Sequence, residues 1–182
     1  GPAIDFTQKP VREFFIQNAV MWIRDFGVDG LRLDAVHQIQ DTSTPAFLEE
    51  LSDRLRALGL PRPLHLIAED ERNLPHHREA GVTDSQWNDD YHHSLHCLLT
   101  GEDEGYYAPF NVDPIRDLAT ALTEGHVDQG QRRAGQDAGA APRGAPSGHL
   151  PPQAFVNANQ THDQIGNRAL GDRLIALSSP AA

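Results

Sequence analysis

The chain alternates between two hydrophobic spacings. Over residues 10–26 the apolar positions Val11, Phe14, Phe15, Ala19, Trp22, Ile23 and Phe26 recur at helical intervals. Gly27 stands where a left-handed C-terminal cap belongs. This predicts a helix with Trp22 in the core. Residues 28–33 then read as a short buried strand. Thr44 and Pro45 suit a helix start, since Thr can cap and Pro tolerates the first turn. Phe47, Leu48, Leu51, Leu55 and Leu58 give that helix its buried face, and Gly59 ends it. Pro61-Arg62-Pro63 turns the chain into a second strand at 64–68.

Helix, strand, helix, strand is the alternation of a parallel α/β sheet. A weaker strand fits 82–86 and a helix fits 88–99. A loop holding Tyr106, Tyr107 and Phe110 follows at 101–111. Asp113-Pro114 opens another helix, with Ile115, Leu118, Ala119 and Leu122 inward and Gly125 at its end. Residues 126–152 are rich in Gly, Ala, Pro, Gln and Arg and lack apolar periodicity, which predicts a long loop. Such a loop either shapes a substrate site or is a tolerated insertion. A strand at 155–158 and a final helix from about Asp172 complete the pattern.

Two of the apolar runs end abruptly in a carboxylate: Gly30-Leu31-Arg32-Leu33-Asp34 and Leu66-Ile67-Ala68-Glu69. A third, Ala154-Phe155-Val156-Asn157-Ala158-Asn159, leads into Gln160-Thr161-His162-Asp163. Strands buried on both faces, opening at their C-terminal ends onto a site, are what a parallel α/β barrel uses. One acid at a strand end is often only a helix cap or a solvated turn. Three in this order point to carboxylate chemistry. Retaining glycoside hydrolysis needs a nucleophile and a general acid roughly 5–5.5 Å apart. Arg32 shares a strand face with Asp34 and can keep it ionised. Glu69 ends the adjacent strand, where burial near other carboxylates would help it hold a proton. Asp163, after His162, suits a third acid that binds sugar hydroxyls.

Composition narrows the partners. With 15 Lys+Arg against 26 Asp+Glu, the net charge of -11 argues against nucleic acid and anionic membrane. No apolar run nears the roughly 18 residues of a membrane span. Cys97 is the one cysteine, so no internal disulfide forms. At 182 residues the chain is short of the roughly 250 of a complete eight-stranded barrel. Gly1-Pro2-Ala3 reads as the interior of a longer chain.

The segments Gly30-Leu31-Arg32-Leu33-Asp34-Ala35, Ala68-Glu69 and His162-Asp163 resemble three signature regions of the α-amylase family, glycoside hydrolase family 13. The resemblance implies Asp34 as nucleophile, Glu69 as general acid/base and Asp163 as transition-state stabiliser. It implies that Arg32 orients Asp34 and that His162 binds sugar hydroxyls. Asp34-Ala35-Val36-His37, Ala68-Glu69-Asp70-Glu71-Arg72-Asn73, Gln86-Trp87-Asn88-Asp89-Asp90-Tyr91-His92-His93 and His162-Asp163-Gln164-Ile165-Gly166-Asn167-Arg168 narrow it further. They resemble the branch that cuts the α-1,4 bond beside the terminal trehalose of maltooligosyltrehalose. Asp70, Asp89 and Gln164 become candidate substrate contacts. His37 contacts sugar or bonds backbone, and Trp87 stacks on sugar or packs in the core. The family's first signature region is absent, as are its first three barrel strands and its last. The expected fold is therefore a partial (β/α)8 TIM barrel of about strands four to seven, within one catalytic domain spanning 1–182. Such a piece exposes two sheet edges, and activity is expected of the intact parent only. The stretch 126–149 also lacks the aromatic content of close relatives.

This chemistry requires neither organic cofactor nor metal. The expected partner is maltooligosyltrehalose or a related α-glucan, in the cytoplasm. The rival enzymes are a glycogen-branching enzyme and an ordinary α-glucan hydrolase. A non-catalytic glycan-binding barrel is the rival of another class. His92 and His96, four apart with Asp89, Asp90 and His93 nearby, have the spacing of a zinc site but no Glu between them as a metalloprotease would require. Hydrogen-bonding or sugar-contacting histidines are the preferred reading.

Overall fold

The computed structural model describes residues 3–134, 136 and 139–179. Gly1 and Pro2, and residues 135, 137 and 138 of the predicted 126–152 loop, lie outside the described residues. The chain forms two compact units, one of Gly1–Glu71 with His76–Gln86 and one of Arg72–Pro75 with Trp87–Ala182.

In the first unit, helix α1 (Lys9–Val20) runs into a π-helical turn at Met21–Asp25. Strand β1 (Gly30–Leu33) leads to helix α2 (Phe47–Arg56), strand β2 (His65–Ala68), the single-turn helix α3 (His76–Glu79) and strand β3 (Ser85–Trp87), which ends as the chain enters the second unit. β1 pairs parallel with β2 in the register Leu31↔Leu66 and Leu33↔Ala68. β2 pairs parallel with β3 through Ile67↔Ser85 and Ala68↔Gln86. The core gathers Ile16, Ala19, Val20 and Ile23 from the first helix, Phe47, Leu48, Leu51 and Leu55 from α2, and Leu66 and Ala68 from β2. Burying Leu66 completely contributes about 2 kcal/mol.

The buried face of α2 is the predicted one. In the first helix Ala19 and Ile23 are buried as predicted, but three predicted positions face outward. Phe14, Trp22 and Phe26 are exposed, and Trp22 lies 4.8 Å from Phe26, ring centroid to centroid. The π-helical turn slips the side-chain register after Val20, which turns Trp22 and Phe26 outward. The start of α2 also differs. Thr44 does not cap it. The helix begins at Phe47, whose N–H donates to Asp41 Oδ2 (2.5 Å), while the Ala46 N–H donates to Glu49 Oε2 (2.9 Å). Buried Arg12 holds this corner together, donating to Asp41, Ser43, Glu50 and the carbonyls of Phe6 and Pro45.

In the second unit, Trp87 is followed by helix α4 (Asp89–Thr100), a 3-10 turn at Gly105–Phe110, helix α5 (Pro114–Thr123), strand β4 (Phe155–Val156), and the short helices α6 (His162–Gly166) and α7 (Leu174–Leu177). The Asn88 N–H donates to the Val156 carbonyl at 3.0 Å, tying the residue after β3 to β4. Asp113 caps α5 as predicted, accepting from the Arg116 N–H. The inward face of α5 is otherwise. Ile115, Ala119 and Leu122 are exposed, and Asp117 and Ala121 are buried. Asp117 turns inward because the Arg133 guanidinium meets it there and stacks 4.4 Å from the centre of the Phe110 ring. Burial pushes Asp117 up to about 6, against the pull of Arg133.

Among its described residues the 126–152 stretch contains no long strand or helix, yet it is tied down. Asp90, fully buried, accepts from the N–H groups of Val127 (2.7 Å) and Asp128 (2.9 Å), from Asn73 Nδ2 (2.9 Å) and from Arg143 (3.1 Å). Arg143 also pairs with buried Asp128 at 2.6 Å. The loop is held by charge-assisted hydrogen bonds instead of apolar side chains, which is why hydropathy does not reveal its order. Removing one partner of a buried charged network costs about 3–5 kcal/mol. Asp90→Ala should lower stability by that order in denaturant unfolding of the full-length protein, and a change below about 1 kcal/mol would show that the network is dispensable.

Candidate active site

The first unit brings two of the three predicted carboxylates together. Beyond the paired residues Leu33 and Ala68, the Glu69 N–H donates to the Leu33 carbonyl at 3.0 Å, and the Val36 N–H donates to the Glu69 carbonyl at 3.0 Å. The ladder thus continues past both strands and sets Asp34 and Glu69 side by side. Ala35 adopts the left-handed region (φ 43°), uncommon for a residue other than glycine. That conformation aims its N–H at Glu69 Oε2, 2.9 Å away. Local strain is thereby spent at a carboxylate, as often occurs at functional sites.

Arg32 joins the pair. Its Nη1 donates to Asp34 Oδ1 and stands 3.4 Å from Glu69 Oε2. Burial raises the Glu69 pKa above the usual glutamate value. The Ala35 N–H and Arg32 oppose that rise, and a hydrogen bond with Asp34 adds to it. Burial therefore favours the protonated form of Glu69 relative to an ordinary glutamate. Asp34, with its side chain 78% exposed, has room to turn outward.

His37 follows on a 3-10 turn, its Nε2 3.4 Å from Glu71 Oε1. Asp70 is only 2% exposed and interacts electrostatically with Arg78, while its backbone carbonyl accepts from Gln86 Nε2 at 2.7 Å. Its backbone thereby supports the turn after Glu69.

The remaining candidates lie in the second unit. Trp87 is half-buried with its ring 5.9 Å from His162, edge-on, so it touches the motif of the third carboxylate and is not simply core. His162 and Asp163 are exposed enough to meet a ligand, and their side chains lie 3.5 Å apart. Gln164 is buried and completes a capping box, its Oε1 accepting from the Thr161 N–H at 2.8 Å. Asp89 accepts from His92 at 3.1 Å, whereas His96 turns to Glu102 at 2.8 Å and stacks on Tyr107. The two histidines are committed to separate carboxylates. Among the described residues no group of three or more His, Cys, Asp or Glu is arranged to hold a metal ion, and no helix is long and apolar enough to cross a membrane.

Several residues that build the site were not singled out from sequence. Ala35 carries no sequence signal for its left-handed backbone. Asp90 and Asn73 stood inside quoted motifs but only their fold partners reveal their work. Glu102 sat in an acidic loop without periodicity.

No family model matches the chain. Individual proteins do. It is 43% identical over 177 residues to a Mycobacterium tuberculosis protein, an alignment covering 90% of this chain and 29% of the relative. It is 42% identical over 185 residues to a Rhizobium sp. protein, covering 96% and 29%. A Saccharolobus solfataricus protein is 38% identical over 176 residues, covering 92% and 29%. A crystal structure from Salmonella typhimurium, of a protein assigned to the alpha amylases, superposes with a TM-score of 0.87 at 40% identity, covering 96% of this chain and 30% of that one. With its parallel strands and their carboxylate ends, the chain belongs to the α-amylase family of glycoside hydrolases and is a segment of that family's α/β barrel. Within the family its relatives from these three organisms all carry one name, malto-oligosyltrehalose trehalohydrolase. The chain spans 29% of the length of those curated relatives.

Because Arg32 lowers the Glu69 pKa, Arg32→Met should move that titration further upward. Carboxyl-carbon NMR titration of the full-length protein reads the shift, and a downward shift would contradict this electrostatic account.

Proposed function

We propose that the protein containing this chain hydrolyses the α-1,4-glucosidic bond beside the terminal trehalose of maltooligosyltrehalose and releases trehalose with retention of configuration. One observation carries the reading: Arg32 bridges Asp34 and Glu69 at neighbouring parallel strand ends, with burial favouring a proton on Glu69. The names and identities of the relatives support the substrate.

The roles follow from charge. Asp34, held by Arg32, attacks the anomeric carbon while Glu69 passes its proton to the departing glycosidic oxygen. The C–O bond breaks and an ester to Asp34 forms. Glu69, now ionised, takes a proton from water, whose oxygen displaces Asp34 from the anomeric carbon. Asp163 and His162 bind sugar hydroxyls as positive charge develops on the ring. His37, Trp87 and Asp89 add sugar contacts, and Asp70 and Gln164 hold the backbone around them. A cytoplasmic setting accompanies this reading, resting on the resemblance and the single cysteine.

Full-length protein incubated with maltooligosyltrehalose should yield trehalose as the main product. New branch points, or only glucose and maltose, would keep the family and overturn this specificity. Asp34→Asn should lower kcat by at least about 10³-fold without unfolding the protein, and near-normal turnover would remove Asp34 from the role of nucleophile.

The raised Glu69 pKa sets a pH dependence. The acid form is present below that pKa and is lost as pH rises through it, so kcat/KM should fall on the alkaline side. In Glu69→Gln this alkaline limb should disappear along with most activity. Persistence of the limb in that variant would assign it to another group.

A further inference from the structure

Asp163 sits on a helix that cannot hold itself. α6 has five residues, barely more than the nucleus of a helix, which is unfavourable on its own. Its N-terminus is fixed by the Thr161 capping box, with Thr161 Oγ1 accepting from the Asp163 N–H at 3.3 Å. Its C-terminal side is fixed by Arg168, whose N–H donates to the Ile165 carbonyl at 3.3 Å. The Arg168 guanidinium donates to both oxygens of Glu102, Nη1 to Oε2 at 2.9 Å and Nη2 to Oε1 at 2.7 Å. A two-point fork fixes orientation as well as distance.

Glu102 is itself held. Its Oε2 meets His96 Nε2 at 2.8 Å, and its N–H donates to Thr100 Oγ1 at 3.1 Å. His96 belongs to α4 and stacks on Tyr107 with rings 4.2 Å apart and 8° from parallel. Arg168 and then His96 keep the Glu102 carboxyl down at about 2, so it stays ionised throughout the working range. A continuous chain runs from the packed helix α4, through His96, Glu102 and Arg168, to the turn that carries Asp163.

We infer that Glu102 is a positioning residue, acting through Arg168 to fix α6 and hence the aim of Asp163. The inference rests on the role proposed above for Asp163.

The test compares E102Q, R168K, the E102Q/R168K double variant, E102D and D163N in the full-length protein, following trehalose release from maltooligosyltrehalose. Misaiming a group that acts in the transition state lowers kcat more than it raises KM. E102Q should lower kcat by about 10–100-fold, with KM changed by less than about threefold. The double variant should be no worse than the poorer single variant, since both break one contact. E102D, which keeps the charge, should recover part of the loss. A merely structural role would lower the melting temperature and the fraction of active protein and leave kcat per active molecule intact. If D163N is nearly inactive while E102Q keeps kcat within twofold, the positioning role falls and the function stands. If D163N itself turns over normally, the role of Asp163 falls and this inference with it. Should E102Q fail to accumulate folded, R168K with E102D carries the same comparison.

Discussion

The parallel register of β1 on β2 is the constraint from which the catalytic reading follows. Leu33 opposite Ala68 makes Asp34 and Glu69 the next residues out, on strand ends that point the same way. A slip of one residue would send alternate side chains to the other face of the sheet and separate the pair. Two further backbone hydrogen bonds beyond the strands lock the register, and the left-handed Ala35 directs its N–H at Glu69. The carboxylates therefore owe their meeting to main-chain pairing, with Leu66 and its neighbours supplying the burial that keeps the sheet in place. The same burial reaches Glu69 and raises its pKa, so one packing arrangement shapes both the fold and the electrostatics of the pair.

The second unit uses a different principle. Its apolar cluster of Cys97, Tyr107, Phe110, Ala121 and Val127 is small, and much of its interior is ionic. Asp90 receives two main-chain N–H groups, an amide and a guanidinium, and Asp128 receives Arg133 and Arg143. Such a network contributes little through desolvated charge alone, because removing ions from water offsets most of their attraction. What it supplies is a fixed path for a segment with no hydrophobic pattern. Gly144 illustrates the fit. Its φ is 87°, and a Cβ there would fall 1.8 Å from the Asp128 carbonyl oxygen, so only glycine lets the loop close on that aspartate.

These two principles explain what could be read in the sequence. The helix–strand alternation of the first unit, the face of α2 and the paired acids were legible, because apolar spacing and strand-end carboxylates are direct consequences of burial. The errors fell where something other than hydropathy decides. A π-helical turn moved Trp22 and Phe26 outward. Asp41 displaced Thr44 as the group meeting the start of α2. Arg133 drew Asp117 inward and left Ile115 and Leu122 exposed. None of these is set by the spacing of apolar residues: one is a backbone register slip, and the others are polar contacts to residues outside the helix concerned. At the site the same division holds. Asp34 and Glu69 were visible as strand-end acids. Asp70 and Gln164 adjoin the motifs, and both prove buried, which sequence spacing alone does not reveal.

The three carboxylates also differ in how firmly they are held. Asp34 and Glu69 follow strands whose pairing must be undone before their backbones can move. Asp163 stands on one turn of helix, fixed by a cap at one end and by the Arg168–Glu102 fork at the other. Local opening is governed by the contacts a segment makes, so the third acid depends on these two anchors and not on a ladder of strand hydrogen bonds. That arrangement suits the proposed chemistry. The nucleophile and the acid must meet fixed atoms of the scissile bond, where a misplacement of about 1 Å is costly. A group that binds hydroxyls on a distorting ring works only while it stays aimed at them, and one turn of helix held at both ends supplies that aim where no strand pairing does.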